Sequence, residues 1–375
     1  MKKYIISILC VWLLSVNARH ELDKNKKLSE QASEIKSIYA DVPRFDIEKA
    51  YNKENVVPIA IIGAGPAGLG AALYTGRANI HTVVFAGPLP GGQLTETSYI
   101  ENWLGFKKIL GYELMNQVQE HAQGFGAIIK DETITRIEFD TWPFVLHTSE
   151  NNKVHALIII IATGSSPRKL GVPNELTYWG RGVSSCAICD CVFFKQKNVY
   201  IVGGGDAAIE QAMQLASYAK NVNILVRKDR MRAAASMQNK LDDYPNVRVM
   251  YNKEVVKVLG DSVTLEGLEI KDTDTNELEQ VQADGLFLAI GHNPNTELFQ
   301  SGIKLDNYGY IILEGRSQAT SVKGIFAAGD VADSIYRQAM IAAGCGAQAG
   351  LEAVALLRDI GLSDLVVTRL KRNYF

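Results

Sequence analysis

The chain has almost no excess charge and few histidines, its conspicuous apolar runs are short, and each shortage weighs against a class of function. Its 39 basic residues face 41 acidic ones for a net charge of -2, so no long-range field favours nucleic acid or an anionic membrane surface. The six histidines are scattered, none within three to five residues of another, which withholds the spacing of a histidine-based metal site. The apolar runs at residues 4–16, 56–62 and 157–161 all fall short of the about 20 residues a membrane-spanning helix needs. Cysteine is scarce as well. Of five, Cys10 sits near the N-terminus, Cys186, Cys189 and Cys191 crowd together, and Cys345 stands apart. A disulfide framework spreads its cysteines to staple loops, so this clustering points to redox or metal chemistry instead.

What the chain does have is size and order. With 375 residues, 47% of them hydrophobic, it exceeds the length at which a single core stops growing, and two lobes are expected. Lys2 and Lys3, the apolar run after them and the small residue Ala18 form the pattern of a cleavable signal peptide over residues 1–18. That predicts export or an organelle lumen, with the cytoplasm as the alternative, and no stable membrane anchor after cleavage. Residues 19–55 are polar and charged and read as a linker.

From Val56 the pattern changes. A β-branched run, Val56 to Ile62, meets Gly63-Ala64-Gly65-Pro66-Ala67-Gly68, and a helix-forming stretch follows before a second strand at Thr82 to Phe85. Strand, glycine turn and helix in this order make a dinucleotide fingerprint: Gly63 permits the turn, Gly65 lets backbone approach a pyrophosphate, and Gly68 lets the helix pack closely. Phe85-Ala86-Gly87 lacks the acid that usually holds the ribose. The design recurs at Gly203-Gly204-Gly205-Asp206-Ala207-Ala208, where the following strand ends in Arg227-Lys228-Asp229-Arg230-Met231-Arg232. Cations in the place of an acid suit a 2'-phosphate and predict NADPH over NADH; a plain solvated basic loop is the alternative.

Between the fingerprints lies Cys186-Ala187-Ile188-Cys189-Asp190-Cys191. A Cys-x-x-Cys pair flanked by two nucleotide sites describes an electron path from a nicotinamide through a flavin to a disulfide. Asp190 is the candidate acid/base, since thiol exchange moves protons on and off sulfur, or else a capping carboxylate. Three thiols for zinc or an iron-sulfur cluster are the competing reading, although no second cysteine pair or histidine set follows. The run at residues 157–161 reads as a buried parallel strand, residues 324–330 as a strand ending in Gly329-Asp330 where open α/β sheets place ligands, and a closing helix is predicted from about Tyr336 to Arg358.

With these parts in order, the sequence resembles the low-molecular-weight thioredoxin reductases over residues 56 to about 362. The likeness rests on Gly91-Gly92-Gln93-Leu94 with Glu101-Asn102, Ala162-Thr163-Gly164, Gly180 to Ser184 leading into the cysteines, both fingerprints, and Ala328-Gly329-Asp330 with Tyr336-Arg337-Gln338-Ala339. It implies an α/β fold with two Rossmann-like, three-layer ββα nucleotide-binding domains, the NADPH domain (171–296, carrying the cysteines) inserted into a discontinuous FAD domain (56–170 and 297–375). It implies FAD contacts from Gly63, Gly65, Pro66, Ala67, Gly68, Gln93, Asn102, Asp330, Arg337, Gln338 and Ala339, and further cofactor contacts from Gly92, Leu94, Thr163, Gly164, Gly203, Ala207, Gly291 and Gly329. NADPH contacts would come from Gly205, Asp206, Arg227, Lys228 and Arg232. Cys186 and Cys189 would be the redox pair and Asp190 its acid/base, in a homodimer reducing thioredoxin or a thioredoxin-like protein. The pattern is broken at Ile188, Cys191, Val226, Leu104 and Cys345, none of them a reacting group. A related reductase serving a peroxiredoxin or another dithiol partner, and a non-catalytic flavin sensor, are the other readings.

Overall fold

The computed structural model describes residues 56–97 and 99–360; the predicted signal peptide (1–18), the predicted linker (19–55) and residues 361–375 lie outside the described residues. Burial first explains the centre. Lys153–Ile161 carries six consecutive buried positions at its carboxyl end, each fully buried isoleucine contributing about 2 kcal/mol. Residues 156–161 can be apolar throughout because the strand is flanked on both sides: by Val56–Ile62 in parallel along its length, and on the other side by Phe144–Thr148, antiparallel, over its first half and Ile325–Ala327, parallel, over its second. Thr82–Phe85, Ile128–Lys130 and Ile134–Glu138 complete this seven-stranded sheet.

The helices Pro66–Arg77 and Ala339–Asp359 pack on that sheet and on each other through small residues. A Cβ at Gly70 would lie 2.6 Å from the carbonyl oxygen of Ala343, and one at Gly350 2.8 Å from that of Ala71, so the two backbones approach as only glycine allows. Among the described residues Ala339–Asp359 is the one helix long and apolar enough to cross a bilayer; here Ala342, Gly346, Ala349, Ala353 and Leu357 are buried in the lobe. The helix starts at Ala339, not near Tyr336 as the sequence predicted. Asp333 explains the delay: its carboxylate accepts the backbone N–H groups of Ile335, Tyr336 and Arg337, and Arg337 takes φ +47°, a turn that no helix can include.

The second lobe has its own parallel sheet, in the order Val183–Ser184, Gly285–Leu288, Asn198–Val202, Asn221–Val226, Val247–Tyr251. Its two faces are covered differently. Asp206–Ala216 shares a core with Val199, Ile201, Ile224 and Phe287, while Lys253–Gly260 and Leu265–Asp272, with Leu278–Gln282 beside them in an antiparallel sheet, cover Tyr200, Leu225 and Leu286. Helix, parallel sheet and antiparallel sheet are the three layers of the expected ββα arrangement.

Two chain crossings join the lobes, and they pair. Ser165–Pro167 runs antiparallel to His292–Pro294. Around this ribbon Asn295 is held twice by Thr163, whose hydroxyl donates to the Asn295 carbonyl while the Asn295 amide donates to the Thr163 carbonyl, both at 2.8 Å; Arg168 Nε donates to Asn293 Oδ1 at 2.8 Å. A two-stranded ribbon that carries both crossings is a natural axis for lobe rotation.

Candidate functional site: a cleft bearing a disulfide

A cleft of about 600 Å³ opens at the carboxyl ends of the first sheet, where open α/β sheets take their ligands. Its floor is the first glycine turn. Gly63 has φ +108° and no room for a Cβ against the Ala162 carbonyl, and the Pro66–Arg77 helix begins at Gly65 with no acid in its first turn. With no side-chain cap either, the amides and dipole of that helix end are free to face an anion. Gly65, Pro66, Ala67, Gly92, Gln93, Leu94, Asn102, Thr163, Gly164, Asp330, Arg337, Gln338 and Ala339 all line the same cleft. These residues come from six separate stretches of sequence. Gln93 Nε2 donates to the Ser165 carbonyl, tying one wall to the crossing ribbon.

Three predicted residues stand behind the wall. A Cβ at Gly68 would collide with the Gly63 carbonyl, and one at Gly329 would come within 2.9 Å of Ala67 Cβ. Gly291 belongs to the crossing: its carbonyl accepts the Arg168 N–H, and its neighbour His292 reaches the cleft instead.

At the other end of the cleft stand Cys186, Cys189 and Asp190. Cys186 and Cys189 form a disulfide with Cα atoms 5.3 Å apart, which removes both sulfurs from the three-thiol metal set considered above. Cys191 points the other way, into the core of the second lobe. Burial pushes the Asp190 carboxyl up from its ordinary value, with Ser184 opposing as a hydrogen-bond donor to the charged form. Ser184 is itself buried, fixed by its strand beside Phe287, and its Oγ accepts the Cys186 backbone N–H at 3.0 Å. One hydroxyl thus orients both the leading cysteine and the acid. Ser184 carries no signal in sequence beyond its place before the pair.

His292 is the other residue that sequence reasoning missed. Its Nδ1 is buried without a hydrogen-bond partner, and burial, with Arg337 and Arg168 adding repulsion, pulls its pKa down to about 4. Asp330 moves oppositely, pushed up to about 6 by burial and by Asp333, against Arg337. These shifts have opposite linkage. Asp330 binds its proton more tightly in the folded protein, so its contribution is present below about 4 and lost as pH rises through 6. For His292 the folded value lies below the ordinary one, so stability is lost as pH falls from 6.5 toward 4. Asp330→Asn in ligand-free protein is therefore expected to gain stability over the parent progressively between pH 4 and pH 7, by up to about 3 kcal/mol. Urea midpoints across that range check it, and a pH-independent offset would show that Asp330 titrates normally.

The second glycine turn does not reach the cleft. Gly203 and Gly205 lie between Asn198–Val202 and Asp206–Ala216. The basic loop folds back over that turn: the N–H groups of Arg232 and Ala233 donate to the Gly204 carbonyl, and Asp206 Oδ1 accepts the Ala234 N–H at 2.9 Å. Asp206, Ala207, Arg227, Lys228 and Arg232 are exposed around it. Among the described residues none of these cations forms an ion pair, which leaves their charge available to a ligand.

Two nucleotide-type glycine turns in separate lobes, with a disulfide at the mouth of the first, define a class. The model of the pyridine nucleotide-disulphide oxidoreductase family matches residues 57–346, and the chain belongs to that family. Within it the chain groups with the low-molecular-weight thioredoxin reductases. It is 42% identical over 302 residues to the thioredoxin reductase of Rickettsia typhi, covering 80% of this chain and 97% of that one. It is 44% identical over 317 residues to the NADPH-dependent thioredoxin reductase 3 of Arabidopsis thaliana, where the match takes in 82% of this chain but 59% of the longer relative. The crystal structure of thioredoxin reductase from Streptococcus pyogenes superposes with a TM-score of 0.77 at 34% identity, covering 82% of this chain and all of the other.

Proposed function

We propose that this chain is an NADPH-dependent thioredoxin reductase in which FAD occupies the cleft and the Cys186–Cys189 couple carries electrons to a thioredoxin-type disulfide. The observation that carries this reading is the placement of the disulfide on the wall of a dinucleotide-shaped cleft. When bound, FAD supplies the two-electron relay between a pyridine nucleotide and the disulfide. The fit is supported by the glycine floor, the uncapped helix end and the buried, unpartnered His292 Nδ1.

The chain's own residues do the sulfur chemistry. In the dithiol form the Cys186 thiolate attacks one sulfur of the partner disulfide, forming a mixed disulfide and releasing one partner thiolate. The Cys189 thiolate then attacks Cys186, restoring the intramolecular disulfide and releasing the second partner thiolate. The partner gains two electrons and two protons, and the enzyme pair loses the same. Asp190 holds a proton at the site because burial favours its neutral form, and Ser184 keeps that carboxyl aligned with the cysteine segment.

The second glycine turn and the disulfide share one lobe, yet only the disulfide faces the cleft. Both must reach one cofactor, and a partner protein must reach the dithiol, so the lobe turns about the paired crossings at Ser165–Pro167 and His292–Pro294. A homodimer is part of this reading, supported by apolar Ile335, Tyr336 and Leu351 left more than half exposed on the first lobe. The reading is tested with purified protein. A yellow chain that bleaches on NADPH and recovers its colour on adding oxidised thioredoxin is expected; a colourless one, or one indifferent to thioredoxin, refutes it.

A further inference from the structure

One contact joins the redox segment to the opposite lobe from outside the cleft. Tyr99–Ile100 and Ile109–Leu110 form a short antiparallel hairpin in the first lobe, made rigid by its own small core of Ile100, Ile109 and Leu114. From this hairpin the Lys108 ammonium lies 4.2 Å from the centroid of the Tyr99 ring, 3.3 Å from Glu101 Oε1 and 5.3 Å from the centroid of the Phe193 ring. Tyr99 and Glu101 are its neighbours in the same hairpin. Phe193 is not: it follows the cysteine pair by four residues, and its other side packs on the core of the second lobe. Lys108 is thus a first-lobe cation laid over a second-lobe aromatic face, and Glu101 and Tyr99 hold it there.

We propose that Lys108 is a positioning residue which, through Phe193, holds the Cys186–Cys189 segment against the cleft, and that releasing this grip is part of the lobe rotation; the inference rests on the rotation proposed above. Three observations favour a grip over a chance surface contact. The lysine is restrained from two sides on its own hairpin, so little side-chain entropy opposes the contact with Phe193. Phe193 is anchored in the second lobe, so its ring cannot follow the hairpin when the lobes part. The lysine is also about half exposed, at 48%, which places the contact where it breaks at small cost and where salt screens the Glu101 pair that steadies it. A cation over an exposed ring is worth enough to shift a two-state balance about two- to five-fold, without locking either arrangement.

The test reads the arrangement and not the turnover. FAD-loaded protein is reduced with a phosphine, exposed to iodoacetamide, and the alkylation rate of the Cys186 to Cys189 peptide is followed by mass spectrometry against Cys345 as internal reference. Lys108→Met keeps the aliphatic stem and is expected to speed alkylation about two- to five-fold. Phe193→Leu should do the same, the double variant should add nothing further, and Lys108→Arg, which stacks on aromatic rings, should stay near the parent rate. Raised sodium chloride should speed the parent and leave Lys108→Met unchanged, a comparison that needs no variant to fold in a new way. An unaltered rate in Lys108→Met, or effects of the two single variants that multiply in the double, would overturn the grip. Loss of the thioredoxin reductase reading itself shows elsewhere, as a colourless protein or one indifferent to thioredoxin, so the two failures are distinguishable.

Discussion

Cys186→Ser and Cys189→Ser are each expected to abolish thioredoxin reduction, a fall of at least about 10⁴-fold, while the protein still binds FAD and still bleaches when NADPH is added. The loss is total in kind because neither sulfur has a substitute. A serine hydroxyl forms no disulfide, so with either cysteine gone no intramolecular couple exists to receive or deliver the second electron of the pair. Cys191 cannot stand in: it is 2% exposed within the second-lobe core, and Gln214 Nε2 lies 3.6 Å from its sulfur. Cys345 is in the first-lobe helix Ala339–Asp359, its thiol pushed up chiefly by burial and so a poor nucleophile. Flavin bleaching survives because it depends on the glycine turns and the basic loop, not on sulfur. Steady-state thioredoxin reduction beside anaerobic NADPH titration measures both halves; turnover in either serine variant would remove the pair from the mechanism.

The second large effect falls on the choice of nicotinamide. In Arg227→Ala/Arg232→Ala the efficiency kcat/KM with NADPH should drop about 100-fold or more, while the value with NADH stays within about two- to three-fold of the parent. Each cation that meets a 2'-phosphate contributes a charge-assisted hydrogen bond of about 1.5 to 3 kcal/mol, and NADH has no phosphate to lose. The geometry supports the pairing. The Arg232 N–H is bonded to the Gly204 carbonyl, and the Arg227 carbonyl accepts the Thr273 hydroxyl, so the loop is pinned beside the second glycine turn with its cationic side chains exposed. Equal losses with both nucleotides would mean that the loop acts on folding, and that the phosphate is read elsewhere.

How much of this was legible in the chain follows the range of the interactions. The two fingerprints were readable because turn, strand and helix are set by neighbours in sequence: Gly63 must take a conformation that suits glycine, and Val56 to Ile62 must be buried wherever the strand lies. The residues 157–161 were readable as an interior strand for the same reason, since five apolar residues bounded by polar ones have no other place to go. The helix start near Tyr336 was misread because its competitor is one side chain, Asp333, whose carboxylate gathers three backbone N–H groups; composition shows an aspartate there but not where it points. Ser184 and His292 were missed as site residues because neither has a spacing that signals function. Their roles come from burial against partners that the sheets bring to them.

By itself, the order of residues determined which chemistry this protein can hold: two turns fit for phosphate, one pair of thiols, an acid beside them and a run of cations, each specified within a few consecutive positions because backbone geometry and thiol pairing are local. Only the tertiary structure decided that the disulfide faces the first turn and not the second, that Lys108 meets Phe193 across 85 positions of chain, and that the crossings at Ser165–Pro167 and His292–Pro294 pair into one axis. Those outcomes depend on how two separately packed cores dock, which is governed by burial and contact between segments remote in sequence, and no short stretch of residues carries that information.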